Sequence, residues 1–348
     1  MKIFVSDVRV AQVLSRSADW QECVLPDHGC DRVGCITERG SGVRGVAANV
    51  DDRAVIDAYF GLFSGDWAEV TLGQDAVTAF VSPNESAEFS ENARRVEEQV
   101  ATDVAVITRT PTEANQPINR AGLVMRARSF VRARDGAAPV EVRAGFSASD
   151  VEIQRRDLPY AKYFDAEDIA LRHKRFDGSM SDPMLRSVFR SADAVTVLPY
   201  YPVLDQVVLV EQFRPGAFVR GDANPWVLEP VAGRCDGDEP VEVVAEREMV
   251  EEAGLTLLSL ESIGNYYPSP GCLSEYLYSF VGVVDLSDAQ TGVHGLEVEN
   301  EDIRTHFLTF DAAMALVQSG EADNGPLLLS LYWLAANRAR LRGGTSAA

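Results

Sequence analysis

Apolar positions recur along this chain at two spacings. Alternating or continuous β-branched runs predict strands over residues 2–5, 45–50 and 67–72 in the first half, and over 194–200, 206–212, 226–231 and 276–284 in the second. The runs 194–200 and 206–212 are separated by Tyr201-Pro202-Val203-Leu204-Asp205, which reads as a turn joining two strands. Helical spacing replaces the strand pattern over 240–253, with Pro240 at the first turn, acidic residues around the start and Gly254 just past the end. Residues 311–318 and 326–341 read as two more helices, the last with Leu327, Leu328, Leu331, Leu334 and Leu341 at buried-face spacing. In the middle of the chain Val124, Phe130 and Val131 outline one helix face, which Gly136 and Pro139 terminate. The second half thus runs strands, helix, strands, helices, the order of a mixed sheet sandwiched by helices. The first half reads as a smaller mixed α+β domain. The fold class is α+β, with a boundary near residue 145: residues 1–110 are the first domain, 111–148 a linker with a helical extension, and 149–345 the second domain.

The length of 348 residues suffices for two cores, and 46% hydrophobic with 24% charged residues is a globular balance. Basic residues number 32 against 53 acidic, a formal net charge of −21, which opposes nucleic-acid binding. The excess is uneven: residues 1–150 hold 16 basic and 22 acidic side chains, whereas 151–348 hold 16 and 31. Clustered carboxylates either solvate a helix face or bind divalent cations. The cysteines, Cys23, Cys30, Cys35, Cys235 and Cys272, form no C-x-x-C pair, so neither a disulfide framework nor a zinc ribbon is signalled. Cys23, His28, Cys30 and Cys35 fit no standard zinc spacing and read as reduced thiols. His173, His294 and His306 have no ligand spacing and read as structural or loop residues. No apolar run reaches membrane-spanning length, and the chain reads as cytoplasmic, with no membrane partner.

The chemistry concentrates in Gly233-Arg234-Cys235-Asp236-Gly237-Asp238-Glu239, seven further residues, and then Arg247-Glu248-Met249-Val250-Glu251-Glu252-Ala253-Gly254-Leu255. On a helix, Glu248, Glu251 and Glu252 fall within an arc of about 100°. Three carboxylates so close repel one another unless water or a hard divalent cation offsets the charge. Arg247 can orient a neighbouring carboxylate through its fork of donors. A solvated acidic helix explains neither bounding glycine nor the strand that leads into the loop.

This spacing resembles the Nudix box at every specified position, and the second half resembles a Nudix hydrolase over roughly residues 151–341. The resemblance implies cleavage of a diphosphate linked to another moiety, with Mg²⁺, or Mn²⁺ in its place, held by Glu248, Glu251 and Glu252, and by the Ala232 carbonyl. It extends to the ADP-ribose diphosphatases: Pro270 in Ser269-Pro270-Gly271 stands 15 residues past Leu255, and Glu211-Gln212-Phe213-Arg214, Pro225-Trp226-Val227-Leu228-Glu229 and His294-Gly295-Leu296 with 299–304 are also similar. On that resemblance Glu299 is the general base, Glu301 a further metal carboxylate, and Glu252 and Arg247 belong to the catalytic set. Arg214, Arg186, Tyr163, Pro270 and Glu275 are then substrate contacts, with Tyr163 stacking on adenine across a homodimer. The implied reaction is hydrolysis of ADP-ribose to AMP and ribose 5-phosphate. Another nucleoside diphosphate sugar, a dinucleotide, or a non-hydrolytic ADP-ribose sensor are the alternatives.

Residues 2–82 are similar, in Phe4 to Arg9, Val43-Arg44-Gly45-Val46 and Ile56-Asp57-Ala58-Tyr59-Phe60-Gly61, to the gamma-glutamylcyclotransferase-like (AIG2-like) family. The glycine of that family's opening motif is missing from Val5-Ser6-Asp7-Val8-Arg9, and Phe60 stands where its catalytic glutamate is expected. The resemblance therefore implies a retained fold without cyclotransferase chemistry, leaving stabilisation, dimerisation or partner binding as the role.

Overall fold

Ile3, Phe4 and Val5 are all fully buried, because β1 (Lys2–Val5) lies inside a sheet with neighbours on both sides. The computed structural model describes residues 1–16, 18, 20–25, 36–37, 43–50, 53–63, 65–72, 74–82, 90–110, 118–296 and 301–343. Expectations placed on His28, Cys30, Cys35 and Glu299 lie outside the described residues. The sheet around β1 adds β2 (Gln21–Leu25), β3 (Ile36–Thr37), β4 (Val43–Asn49), β5 (Asp66–Leu72) and β6 (Asp75–Ser82), in the order β2-β4-β1-β6-β3 with β5 on β6. It is mixed: β1 runs antiparallel to β4 and parallel to β6. Helices α1 (Val8–Leu14), α2 (Ala54–Phe60), α3 (Glu91–Arg109) and α4 (Arg120–Asp135) supply the rest of this core. Phe60 is fully buried there, its ring 5.1, 5.0 and 5.2 Å from those of Tyr59, Trp67 and Phe80.

Two features of this half depart from the sequence reading. Helix α3 is absent from that reading, although Val96, Val100 and Val104 recur at four-residue steps and Ser90 caps the helix by accepting the Ala93 N–H at 3.1 Å. Helix α4, in the stretch expected as a linker with a helical extension, buries Leu123, Ala127 and Val131 in the same core as α3, while Phe130 is 41% exposed. Of the face outlined by Val124, Phe130 and Val131, Val131 is buried and Val124 packs against the core, and only Phe130 turns outward.

Beyond α4, β7 (Val151–Ala161), β8 (Asp165–His173) and β9 (Met184–Arg190) form an antiparallel three-stranded sheet. Buried charge ties this sheet to α3 and α4. Asp103 of α3 and Asp165 of β8 are both 0% exposed. Arg190 of β9 reaches Asp103 at 2.7 Å, Glu167 at 3.3 Å and Asp165 at 3.6 Å, Arg126 of α4 meets Asp165 at 2.7 Å, and Arg156 of β7 pairs with Glu167. Three carboxylates face three guanidinium groups, so the cluster is neutral. The chain divides into the compact units Met1–Ser191 and Ala192–Ala348, whereas the sequence reading places the boundary near residue 145 and starts its second domain at 149. Hydrophobic periodicity carries no information about such a charged contact.

In the second unit, β10 (Ala194–Tyr201) and β11 (Gln206–Phe213) pair only beside their turn, at Tyr200 with Val207 and Tyr201 with Gln206, and then diverge. Into that fork come β12 (Trp226–Glu229) against β11 and β13 (Val231–Arg234) against β10. Pro230 breaks the run expected as one strand over 226–231, since it has no N–H to donate. With β14 (Leu257–Tyr266), β15 (Leu277–Val284), β16 (Val293–His294) and β17 (Ile303–Thr309), the sheet has eight strands among the described residues, β10 and β15 being parallel. Alternate side chains feed two cores. Val195, Val197, Val208 and Val210 meet Val244, Ala245 and Met249 of α6 (Val241–Ala253) on one face. Leu198, Tyr200, Val207 and Leu209 meet Ala313 of α7 (Phe310–Ser319) and Leu327, Leu331 and Leu334 of α8 (Gly325–Gly343) on the other. A short helix, α5 (Pro215–Arg220), follows β11. The expected mixed sheet between helices is present.

Removing one member of a buried ion cluster leaves its partners charged and unpaired, at a cost of about 3–5 kcal/mol. Asp103→Ala should lower the stability of the first unit by that order, read as a fall in its urea midpoint; a loss below about 1 kcal/mol would show that the cluster does not hold the sheet.

Candidate functional site

Helix α6 presents Val244, Ala245, Glu248, Met249, Glu252 and Ala253 as its buried stripe. Two of these are carboxylates, at positions where a core helix would place apolar groups. Pro240 precedes the first turn, and Gly254, at φ +64°, closes the last, its N–H on the Val250 carbonyl and the Leu255 N–H on Met249, both at 3.0 Å.

What Glu248 and Glu252 meet is the β13 backbone delivered by the fork. Glu252 is 3% exposed and accepts the Ala232 N–H at 2.9 Å. Glu248, 8% exposed, lies flat on Gly233: a Cβ there would fall 1.9 Å from Glu248 Cδ. The first glycine of the motif is therefore required for contact rather than for a turn. Burial pushes the Glu252 carboxyl up to about 8; the Ala232 N–H opposes this, and the Glu248 and Glu301 carboxylates push further in the same direction. Glu301 is itself placed by the Leu296 N–H, which it accepts at 3.1 Å, and the Gly295 N–H reaches the Glu251 carbonyl at 3.2 Å. The segment before the undescribed residues 297–300 is thereby fastened to the end of α6.

Arg247 stands between the remaining acids, 2.8 Å from Glu248, 3.0 Å from Glu251 and 3.3 Å from Asp236. Among the described residues no three His, Cys, Asp or Glu side chains converge as a ready-made cation cage, a set from which Glu299 is missing. The donors nevertheless suit a hard divalent ion. Two buried acidic side chains sit on the β13 backbone, Glu248 in the space that Gly233 leaves and Glu252 on the Ala232 N–H, with Glu251 and Glu301 at hand.

Arg214 lowers the Glu252 pKa, so its charge is felt at the same place. Its Nε donates to Glu229 Oε2 at 2.6 Å, and among the described residues its two terminal nitrogens have no other hydrogen-bond partner. Nothing in the sequence marks Glu229 for this role. It is pushed up by burial and held back by Arg214, and it fixes the guanidinium with its paired donors open. Asp236, also unassigned, sits inside the motif at one of its unspecified positions. Pro270 is exposed on a tight turn in which the Ser269 carbonyl accepts the Cys272 and Leu273 N–H groups, and Glu275 is half-buried further along that loop. Tyr163 and Arg186 belong to the first unit, Tyr163 between β7 and β8 and 63% exposed, Arg186 exposed on β9. His294 lies over Gly254, and His306 pairs with Glu211 at 2.8 Å, so both are engaged in local contacts. No helix among the described residues is long and apolar enough to cross a membrane.

Comparison with known proteins matches residues 190–331 to the NUDIX domain family. The chain is 39% identical over 204 residues to the ADP-ribose pyrophosphatase of Escherichia coli (strain K12), a span of 59% of this chain and 97% of that protein. It is 37% identical over 199 residues to the ADP-ribose pyrophosphatase of Haemophilus influenzae, 57% of this chain and 91% of that one. The GDP-mannose pyrophosphatase of Escherichia coli O1:K1 is 33% identical over 172 residues, 49% of this chain and 88% of that protein.

Gly233→Ala should displace Glu248 and weaken Mg²⁺ binding by about tenfold or more, the scale of a disturbed ligand support. Calorimetric Mg²⁺ titration of the full chain measures it; unchanged affinity would remove Glu248 from the cation site.

Proposed function

The chain belongs to the Nudix hydrolases, and from that membership we propose that it hydrolyses the diphosphate of ADP-ribose, giving AMP and ribose 5-phosphate. The observation that carries this reading is the pair of buried carboxylates, Glu248 and Glu252, packed on Gly233 and Ala232 with the Arg214 charge beside them. Glu248, Glu251, Glu252, Glu301 and the Ala232 carbonyl are the proposed holders of Mg²⁺, with Mn²⁺ as a substitute. When bound, the cation supplies charge neutralisation at the diphosphate oxygens.

The residues of the chain do the rest. Arg214, clamped at Nε by Glu229, offers its terminal nitrogens to a phosphate. Arg247 holds Glu248 and Glu251 in place. Glu299, nine residues before Leu308 in the segment leading to β17, is the proposed base that takes a proton from the attacking water. Arg186, Tyr163, Pro270 and Glu275 are proposed substrate contacts, Tyr163 being supplied across a homodimer. A second reading, another nucleoside diphosphate sugar, is favoured by the 33% identity to a GDP-mannose pyrophosphatase. The first half is proposed to keep a gamma-glutamylcyclotransferase-like fold without its chemistry, since the aromatic Phe60 cluster fills the place of the acid.

AMP release from ADP-ribose with and without Mg²⁺, alongside GDP-mannose, ADP-glucose and NADH, tests the proposal. ADP-ribose should give the highest kcat/KM, and only with Mg²⁺; a higher value on another substrate would overturn the specificity. Glu252→Gln should fold and lack turnover. Glu299→Gln should lower kcat by about 10²–10⁴-fold, and a loss below about tenfold would move the base to another loop residue.

A further inference from the structure

Helix α4 contains a glycine, Gly122, in its first turn, although glycine is the poorest helix former after proline. The reason lies across it. A Cβ on Gly122 would stand 3.1 and 3.3 Å from the Arg126 terminal nitrogens and 3.2 Å from the Asn119 amide nitrogen. Both side chains pass over this bare position to the turn between β7 and β8. The Asn119 amide, whose oxygen caps α4 by accepting the Gly122 N–H, donates through its nitrogen to the Lys162 carbonyl at 3.4 Å. Arg126 donates to the Tyr163 carbonyl at 3.4 Å and meets Asp165, just past the turn, at 2.7 Å. The turn is thus gripped at residues 162, 163 and 165, while the Tyr163 ring stands 63% exposed, edge-on to Phe164 at 4.7 Å.

We propose that α4 sets the position of this turn, with Arg126 as a positioning residue for Tyr163, so that the first half of the chain governs affinity for the nucleoside end of the substrate. The proposal rests on the reading of Tyr163 as a substrate contact. Arg126 touches no substrate. It acts by holding the backbone that carries the aromatic ring, an ordering cost otherwise borne when ligand binds.

The test uses full-length protein. Arg126→Met with Asp165→Leu replaces a buried ion pair by apolar groups, an exchange that folded proteins tolerate. It leaves Arg156 and Arg190 facing Asp103 and Glu167. Gly122→Ala is a gentler second variant that favours the helix while crowding both gripping side chains. Hydrogen exchange should speed up at residues 162–164, by about tenfold or more in the double variant and less in Gly122→Ala. Calorimetric ADP-ribose affinity in EDTA, where no turnover occurs, should fall by about tenfold in the double variant and in Tyr163→Ala, the worth of one base–aromatic stack. The two changes combined should cost no more than Tyr163→Ala alone. Unchanged exchange at 162–164 overturns the positioning role, as does an equal further loss in the Tyr163→Ala background. Faster exchange with wild-type ADP-ribose affinity in Tyr163→Ala instead overturns the substrate-contact reading and leaves the grip of α4 on the turn standing.

Discussion

Two glutamates on the buried stripe of α6 set the terms for the second half of this protein. A carboxylate removed from water costs several kcal/mol unless it finds donors or counter-charge, and Glu248 and Glu252 are buried side by side. Much of the surrounding structure can be understood as accommodating them. The β10–β11 hairpin opens after its turn so that β13 can enter beside α6; Pro230 lets the chain step from one strand to the next; Gly233 removes the side chain that Glu248 would strike; and the Ala232 N–H points at Glu252. Val244, Ala245 and Met249 hold the helix at this depth through the sheet core. Helix position is set by apolar packing, and the charges are carried inward with it.

The first half buries charge by the opposite means. Asp103, Asp165 and Glu167 face Arg126, Arg156 and Arg190, so that this interior is neutral without any further group. Near α6, Arg247 and Arg214 stand against Glu248, Glu251, Glu252 and Glu301, and the balance stays negative. A neutral cluster suits a fixed joint between helices and sheet; a negative one suits a site that takes up a cation and, through it, an anion. The overall charge of −21 therefore combines one locally cancelled group with one that is not.

The chemistry of this chain is more legible in its sequence than the joinery. Gly233, Glu248, Glu251, Glu252 and Gly254 fall within one 22-residue stretch at fixed spacing, and helix geometry alone brings the acids together. Strands such as β10, β11 and β15 announce themselves because they are buried on both faces and rich in β-branched residues. What the sequence hides is contact between distant charges. Nothing local to Asp103, Arg126, Asp165 or Arg190 marks them as partners. Helix α3 escaped for a different reason: its valines are spaced among Arg94, Arg95, Glu97 and Glu98, which reads as a solvated stretch unless the four-residue step is followed. Glu229 likewise carries no mark until Arg214 is seen against it.

The central claim is that the buried charge on α6 is matched by a divalent cation. Thermal unfolding of the full chain with and without Mg²⁺ tests it most directly, comparing the wild type with Glu252→Gln. A ligand bound only by the folded state stabilises it by about 2.7 kcal/mol at a hundredfold excess over Kd. The wild-type Tm of the second unit should rise saturably with Mg²⁺, and Glu252→Gln should lose most of that rise while staying folded without the metal. A wild-type Tm indifferent to Mg²⁺, or an equal rise in Glu252→Gln, would contradict the account.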